Sequence, residues 1–175
     1  MIEIPAWVDG TLMPVEKLAV HERGLRHMAI SVFVMRGDDL LIQRRALSKY
    51  HTPGLWANTC CTHPNWGEPA LHCAERRLDE ELGIKGLTLI HRDRLEYRAD
   101  VGSDLIEHEV VDLFLADAPE TLTIEPNPEE VAETRWVALD ALNDEVARSP
   151  EAFTPWLRIY LAEHSARIFG DRVYA

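Results

Sequence analysis

The stretch EPALHCAERRLDEELG, residues 68–83, carries its own start and stop signals. Pro69 lies near the beginning, where a missing N–H is harmless to a helix, and Gly83 lies at the end, where a left-handed residue closes one. Between them Leu71, Ala74, Leu78 and Leu82 recur at intervals of three and four residues, which predicts a helix with a single apolar stripe.

The neighbouring segments have a different period. AISVFVM (29–35) and LLIQRR (40–45) bracket the turn RGDD and predict a β-hairpin, since β-branched and apolar residues flank a Gly-Asp punctuation. LTLIHRDRLEYRA (87–99) and LIEHEVVDLFLAD (105–117) predict two further strands across a Gly-Ser-Asp turn. TRWVAL (134–139) predicts a strand followed by a short helix, and TPWLRIYLAEHSARIF (154–169) predicts a C-terminal amphipathic helix. ALSKYHTPGLW (46–56) reads as a loop, and so does EPNPEE (125–130), a surface loop rather than a linker. Strands interleaved with two or three helices define an α/β (α+β) sandwich of mixed sheets flanked by helices, expected as a single domain over residues 1–175.

Composition narrows the function classes. The formal charge is −12, from 30 acidic and 18 basic residues, which argues against a nucleic-acid binder held by phosphate neutralisation. A small anionic substrate stays open, because a few Lys and Arg can cluster locally in an acidic protein. No apolar run approaches the roughly twenty residues of a membrane span, and no charged-then-apolar leader follows Met1, so neither membrane insertion nor export is expected. Three cysteines, two of them adjacent, make a poor disulfide framework and fit a reducing cytoplasm.

Several residues could carry chemistry. Glu107 and Glu109 project from one face of a strand, followed on that face by Val111, Leu113 and Leu115, while His108 points to the other. Carboxylates beside an apolar row are costly unless paired, protonated or bound to a metal; the plain alternative is that both lie at the solvated end. His21, His27 and His63, together with His51, fall outside the obvious helices. Three histidines and two same-face carboxylates would compose an N/O metal site if the fold brought them together. On the helix, Glu68, Glu80 and Glu81 either form a solvated face with Arg77 or feed a hard cation such as Mg²⁺. Lys17, Arg44, Arg45 and Lys49 are phosphate contacts or ordinary surface charge.

NTCCTHP (58–64) joins these pieces. It lacks a C-x₂-C pair, so structural zinc is not expected. In an extended segment Cys61 and His63 share a side, and Cys60 points away toward packing. A thiol near a cation or metal has a lowered pKa, which makes Cys61 a usable base.

Taken together, AVHERGLRHMAIS, QRRALSKYHTPGLWANTCCTHP, ERRLDEELG, EYRADVGSDLIEHEV and FTPW, in that order, resemble the type 1 isopentenyl diphosphate isomerases, the metal-dependent branch built on a Nudix-like fold. The likeness covers residues 8 to 160. It implies Cys61 and Glu109 as catalytic residues, with Tyr97 hydrogen-bonded near Glu109. It implies His21, His27, His63, Glu107 and Glu109 as ligands of a divalent metal (Mn²⁺, Zn²⁺ or Mg²⁺), and Glu81 as a ligand of a second metal, Mg²⁺, that arrives with the diphosphate. Lys17, Arg45, Lys49 and Arg77 would contact the diphosphate, and Trp156 would form an aromatic wall. The implied reaction converts isopentenyl diphosphate to dimethylallyl diphosphate through a tertiary carbocation, with Glu109 as proton donor and Cys61, as thiolate, the acceptor. No flavin is expected, since no nucleotide-binding glycine fingerprint occurs.

Two rivals stand beside this reading. One is a Nudix-type Mg-dependent diphosphate hydrolase. Thr62 replaces the first glycine of the hydrolase box, and Arg77 replaces a glutamate that would help gather Mg²⁺, which weakens it. The other is a catalytically silent metal-binding scaffold.

Overall fold

The computed structural model describes residues 2–170. In chain order the elements are β1 (Glu3–Val8), β2 (Thr11–Glu16), α1 (Lys17–Glu22), β3 (Arg26–Arg36), β4 (Asp39–Arg45), β5 (Trp56–Ala57), β6 (Cys60–Thr62), α2 (Ala70–Leu82), β7 (Ile90–Asp100), β8 (Ile106–Asp117), β9 (Val131–Ala138), α3 (Leu139–Arg148), a 3₁₀ turn (Pro150–Ala152), α4 (Pro155–Glu163) and α5 (Ser165–Phe169). None of the described helices is long and apolar enough to cross a membrane.

Strand β3 organises the sheet. It runs parallel to β8 from Arg26↔His108 to Met35↔Asp117 and antiparallel to β1, β4 and β6. β4 shares only the Met35↔Leu40 and Arg36↔Asp39 pairs with β3, then carries β5 and β9 on its own edges. The hairpin between them closes on Gly37 at φ +59, in the first position of a two-residue loop, where a left-handed residue matches the strand twist.

Both faces of β3 are covered. Ile30, Val32 and Val34 pack with Cys73, Ala74, Leu78 and Leu82 of α2. Ala29, Phe33 and Met35 pack with Leu157, Tyr160, Ile168 and Phe169 of α4 and α5. A strand with helices on both sides loses its polar alternation, which is why AISVFVM reads as continuous apolar sequence. The result is the expected sandwich of mixed sheet between helices.

Helix α2 follows its signals, with Pro69 at the N-cap and Gly83 at φ +66 accepting the role of left-handed cap. Its stripe is rotated from the expected one. Leu71 is 40% exposed, and Cys73 takes its place beside Ala74, Leu78, Glu81 and Leu82. The expected single C-terminal helix is broken at His164, where φ −130 and ψ 7 end α4 and start α5. Strand β7 begins at Ile90 rather than at position 87 and bulges between His91 and Asp93. The β1–β2 hairpin, turning on Asp9 (φ 49) and Gly10 (φ 80), and the short α1 have no counterpart in the sequence reading.

A Cβ on Gly83 would meet Glu125 Cβ at 2.9 Å and the Glu125 carbonyl at 3.2 Å, in a left-handed backbone. Gly83→Ala is expected to lower unfolding stability by about 1–2 kcal/mol or more, read from the urea midpoint. An unchanged midpoint would show that the α2 cap carries no strain.

Candidate active site

The parallel register of β3 and β8 places His27 directly opposite Glu109, with Glu107 one same-face position away. His63 follows β6, the strand that pairs with the other edge of β3. His21 comes from α1, in contrast to its expected position outside helices. That six-residue helix is held by Glu16, whose carboxylate accepts from Leu18 N at 3.0 Å and Ala19 N at 2.8 Å. The neighbouring α1 and β3, together with the distant β6 and β8, therefore deliver His21, His27, His63 and Glu107 to one buried point, their ligating atoms all within 4.8 Å of one another.

The second nitrogens decide what these rings present. His21 Nδ1 lies 2.6 Å from the Lys17 carbonyl, and His27 Nδ1 lies 2.7 Å from the Leu25 carbonyl. A carbonyl only accepts, so both Nδ1 atoms carry hydrogen and both Nε2 atoms are left to ligate. Those Nε2 atoms lie 3.2 and 3.3 Å from Glu107 Oε2, and His21 Nε2 is buried without a hydrogen-bond partner. Imidazole nitrogens and a carboxylate aimed at one another in this way fit a divalent cation. Glu109 borders the group, its Oε1 3.2 Å from His63 Nε2 and 4.0 Å from His27 Nε2.

One cavity of about 40 Å³ touches this cluster and is lined by Cys61, Glu81, Glu109 and Trp156, and by Lys17, Arg45, Lys49 and Arg77. Tyr97 lies behind its wall and donates to Glu109 Oε2 at 2.6 Å. Glu81 is the one helix carboxylate that reaches the cavity, held by Gln43 Nε2 at 2.9 Å and Arg77 at 2.5 Å. Glu68 binds Arg76 and the Asn65 N–H, and Glu80 binds Arg76 and Arg77 on the exposed side. Neither belongs to the site.

Several lining residues were absent from the sequence reading. Glu130 pairs with Lys49 and lies 3.2 Å from Arg77. Its segment, read as a surface loop, is drawn inward because Val131 pairs with Arg45 at the β4 bulge. Gln43 and Tyr50 also line the cavity. No motif spacing marks any of these three.

Residues 25–157 match the NUDIX domain family. Three proteins named isopentenyl-diphosphate Delta-isomerase align along nearly the whole chain. That of Dinoroseobacter shibae is 71% identical, covering 95% of each chain. That of Roseobacter denitrificans is 64% identical, covering 97% of each, and that of a Jannaschia species 61%, covering 96% of each. The chain belongs to the isopentenyl-diphosphate Delta-isomerase family. Solved structures share the fold at lower identity. A Deinococcus radiodurans protein superposes with TM-score 0.73 at 16% identity, over 95% of this chain and 99% of its own. A MutT NUDIX hydrolase of Burkholderia pseudomallei gives 0.58 at 24%, over 79% and 98%.

Within the site the two carboxylates of β8 are driven apart. Burial disfavours the charge on Glu107, but without a cation hydrogen bonds from protons on His21, His27, His51 and His63 outweigh it and hold its carboxyl well below the usual range; on His21 and His27 a bound cation would take the place of those protons. Burial, and then the charge of Glu107, push Glu109 well above that range, which favours its protonated form. Cys61 corrects the expectation of a lowered thiol. Burial pushes it up to about 12, further than Ser31 and Arg45 can bring it down. Its Sγ lies 2.7 Å from Asn58 Oδ1, to which it donates, and accepts from Ser31 Oγ at 3.4 Å. Cys60, as expected, turns into the α2 core.

A thiol raised in this way is protonated at neutral pH. In metal-stripped protein, alkylation of Cys61 by iodoacetamide, followed by peptide mass spectrometry, should accelerate steadily from pH 7 through pH 10. A plateau reached below pH 9 would mean that the thiolate is stabilised and the burial argument fails.

Proposed function

We propose that the chain interconverts isopentenyl diphosphate and dimethylallyl diphosphate by protonating and deprotonating the substrate across one cavity. The observation that carries this reading is the meeting of Cys61, Glu109 and four cationic side chains in a single buried cavity. A proton added to the terminal methylene gives a tertiary carbocation, and a proton lost from the neighbouring methylene gives the product, so the overall balance is zero. The alkene is a very weak base, and the step needs an acid, a base and a dry pocket.

Glu109 is the donor in this reading. Burial and the adjacent Glu107 keep its proton in place, and the Tyr97 hydroxyl fixes the orientation of the carboxyl. Cys61 is the acceptor. As the thiolate, its proton given up to solvent before substrate fills the cavity, its sulfur accepts from the Ser31 hydroxyl at 3.4 Å and then takes the substrate proton to become the thiol. Lys17, Arg45, Lys49 and Arg77 bind the diphosphate, far enough from the reacting carbons that binding energy serves orientation. Trp156 faces the cation, worth about 1–2 kcal/mol in a desolvated site.

His21, His27, His63 and Glu107, with Glu109 at the border, would hold a divalent ion, Mn²⁺, Zn²⁺ or Mg²⁺, and Glu81 would hold Mg²⁺ beside the diphosphate. Such ions supply fixed positive charge that neutralises the diphosphate and orients carboxylates. The hydrolase alternative gives way for two reasons. The relatives sharing 61–71% identity are named isomerases. Arg77 also stands where that chemistry wants another carboxylate.

In D₂O the metal-loaded protein should place deuterium in the terminal methyl of dimethylallyl diphosphate without releasing phosphate. Cys61→Ala and Glu109→Gln should each cut incorporation at least about 10³-fold, as loss of a positioned proton-transfer group does. Wild-type labelling in both variants, or phosphate release by the parent, would end this reading.

A further inference from the structure

We propose that His51 is a positioning residue for Glu107, a role that rests on reading His21, His27, His63 and Glu107 as the divalent-metal site. The two oxygens of Glu107 have different partners. Oε2 faces the three imidazoles, at 3.2 Å from His21, 3.3 Å from His27 and 3.7 Å from His63. Oε1 lies 2.7 Å from His51 Nε2. His51 is outside the set whose ligating atoms converge.

The tautomer of His51 follows from its other nitrogen. Arg45 Nη2 lies 3.4 Å from His51 Nδ1. A guanidinium only donates, so Nδ1 accepts, Nε2 carries the hydrogen, and the ring donates to Glu107 Oε1. The imidazole itself is locked. It is 6% exposed, stacks on Tyr50 with centroids 4.4 Å apart and planes 22° from parallel, and its carbonyl accepts from Arg45 at 3.2 Å. A carboxylate with both oxygens free can present either one, or both, to a cation. A hydrogen bond fixed on Oε1 removes that freedom and leaves Oε2 aimed at the imidazoles, as partners behind a ligand commonly do. Through Arg45 the same chain of contacts reaches the diphosphate side of the cavity.

The test is Mn²⁺ affinity, measured on metal-stripped full-length protein in competition with a chromophoric chelator. His51→Phe keeps a ring on Tyr50 but has no donor, and His51→Ala removes both; each should weaken Mn²⁺ binding about 10- to 100-fold. His51→Gln, whose amide N–H reaches the place of Nε2, should recover affinity to within about threefold of the parent. The Phe and Gln variants decide the matter even where Ala unfolds. Parental affinity in His51→Phe would overturn the proposal. A Gln variant as weak as the Phe variant would overturn it too, because the imidazole itself would then be needed. A parent that binds no Mn²⁺ would overturn the underlying metal reading, an outcome distinct from both.

Discussion

Glu107 cannot be ionised at 2% exposure without partners on every side, and the site is built around that requirement. The partners come from α1, the start of β3, the loop before β5 and the end of β6. α1 and the start of β3 are neighbours in the chain, but the other two segments and β8 are distant from them, so the carboxylate meets all its partners only when β3 has paired with β8 on one edge and β6 on the other. The β3–β8 pairing is parallel, requires a long crossover, and contains α2 within that crossover. Fold and site are therefore completed by the same event.

The pairing has an electrostatic consequence. Glu107 and Glu109 share a face of β8 by the alternation of the strand, close enough that one charge suppresses the other. Imidazole contacts lower the Glu107 carboxyl, while burial and the charge of Glu107 raise that of Glu109 beside Tyr97. Two carboxylates two residues apart on one strand are thus shifted in opposite directions by their surroundings, the usual way a fold separates acid from base.

What could be read from sequence was whatever a local period or boundary encodes. The helix at 70–82 was legible from Pro69 and Gly83, and the β3–β4 hairpin from Gly37 between apolar runs. The Asp9-Gly10 turn is an equally strong signal, but β2 is exposed or half-buried throughout and the two strands contain Pro5 and Pro14, which hide the alternation. Leu71 was misplaced because a stripe of leucines ignores Cys73, a small buried side chain that packs as well. His21, His27, His63, Glu107 and Glu109 were legible as chemistry through resemblance, and their convergence was not, since spacing carries no long-range register. Glu130, Gln43 and Tyr50 carry no signal in spacing, and His51 stands among the histidines without a role of its own: each belongs to the site only through a strand pairing or loop path. The Cys61 thiol was misjudged because burial, which raises it, cannot be counted from neighbours in sequence.

The net charge of −12 and an anionic ligand are reconciled inside the cavity. Two of its four cations are already matched by internal carboxylates, Arg77 by Glu81 at 2.5 Å and Glu130 at 3.2 Å, and Lys49 by Glu130. Unpaired, four cations this close would repel one another and lose much of their hydration, at a cost of several kcal/mol per buried ion. A diphosphate competing for the same N–H groups offers more charge and more acceptor oxygens than either carboxylate. Under the proposed binding it would compete with Glu130 for Lys49 and Arg77. Binding is then an exchange of one set of ion pairs for another. The net affinity reflects the difference between them, which lets a strongly charged ligand bind an acidic protein and still leave.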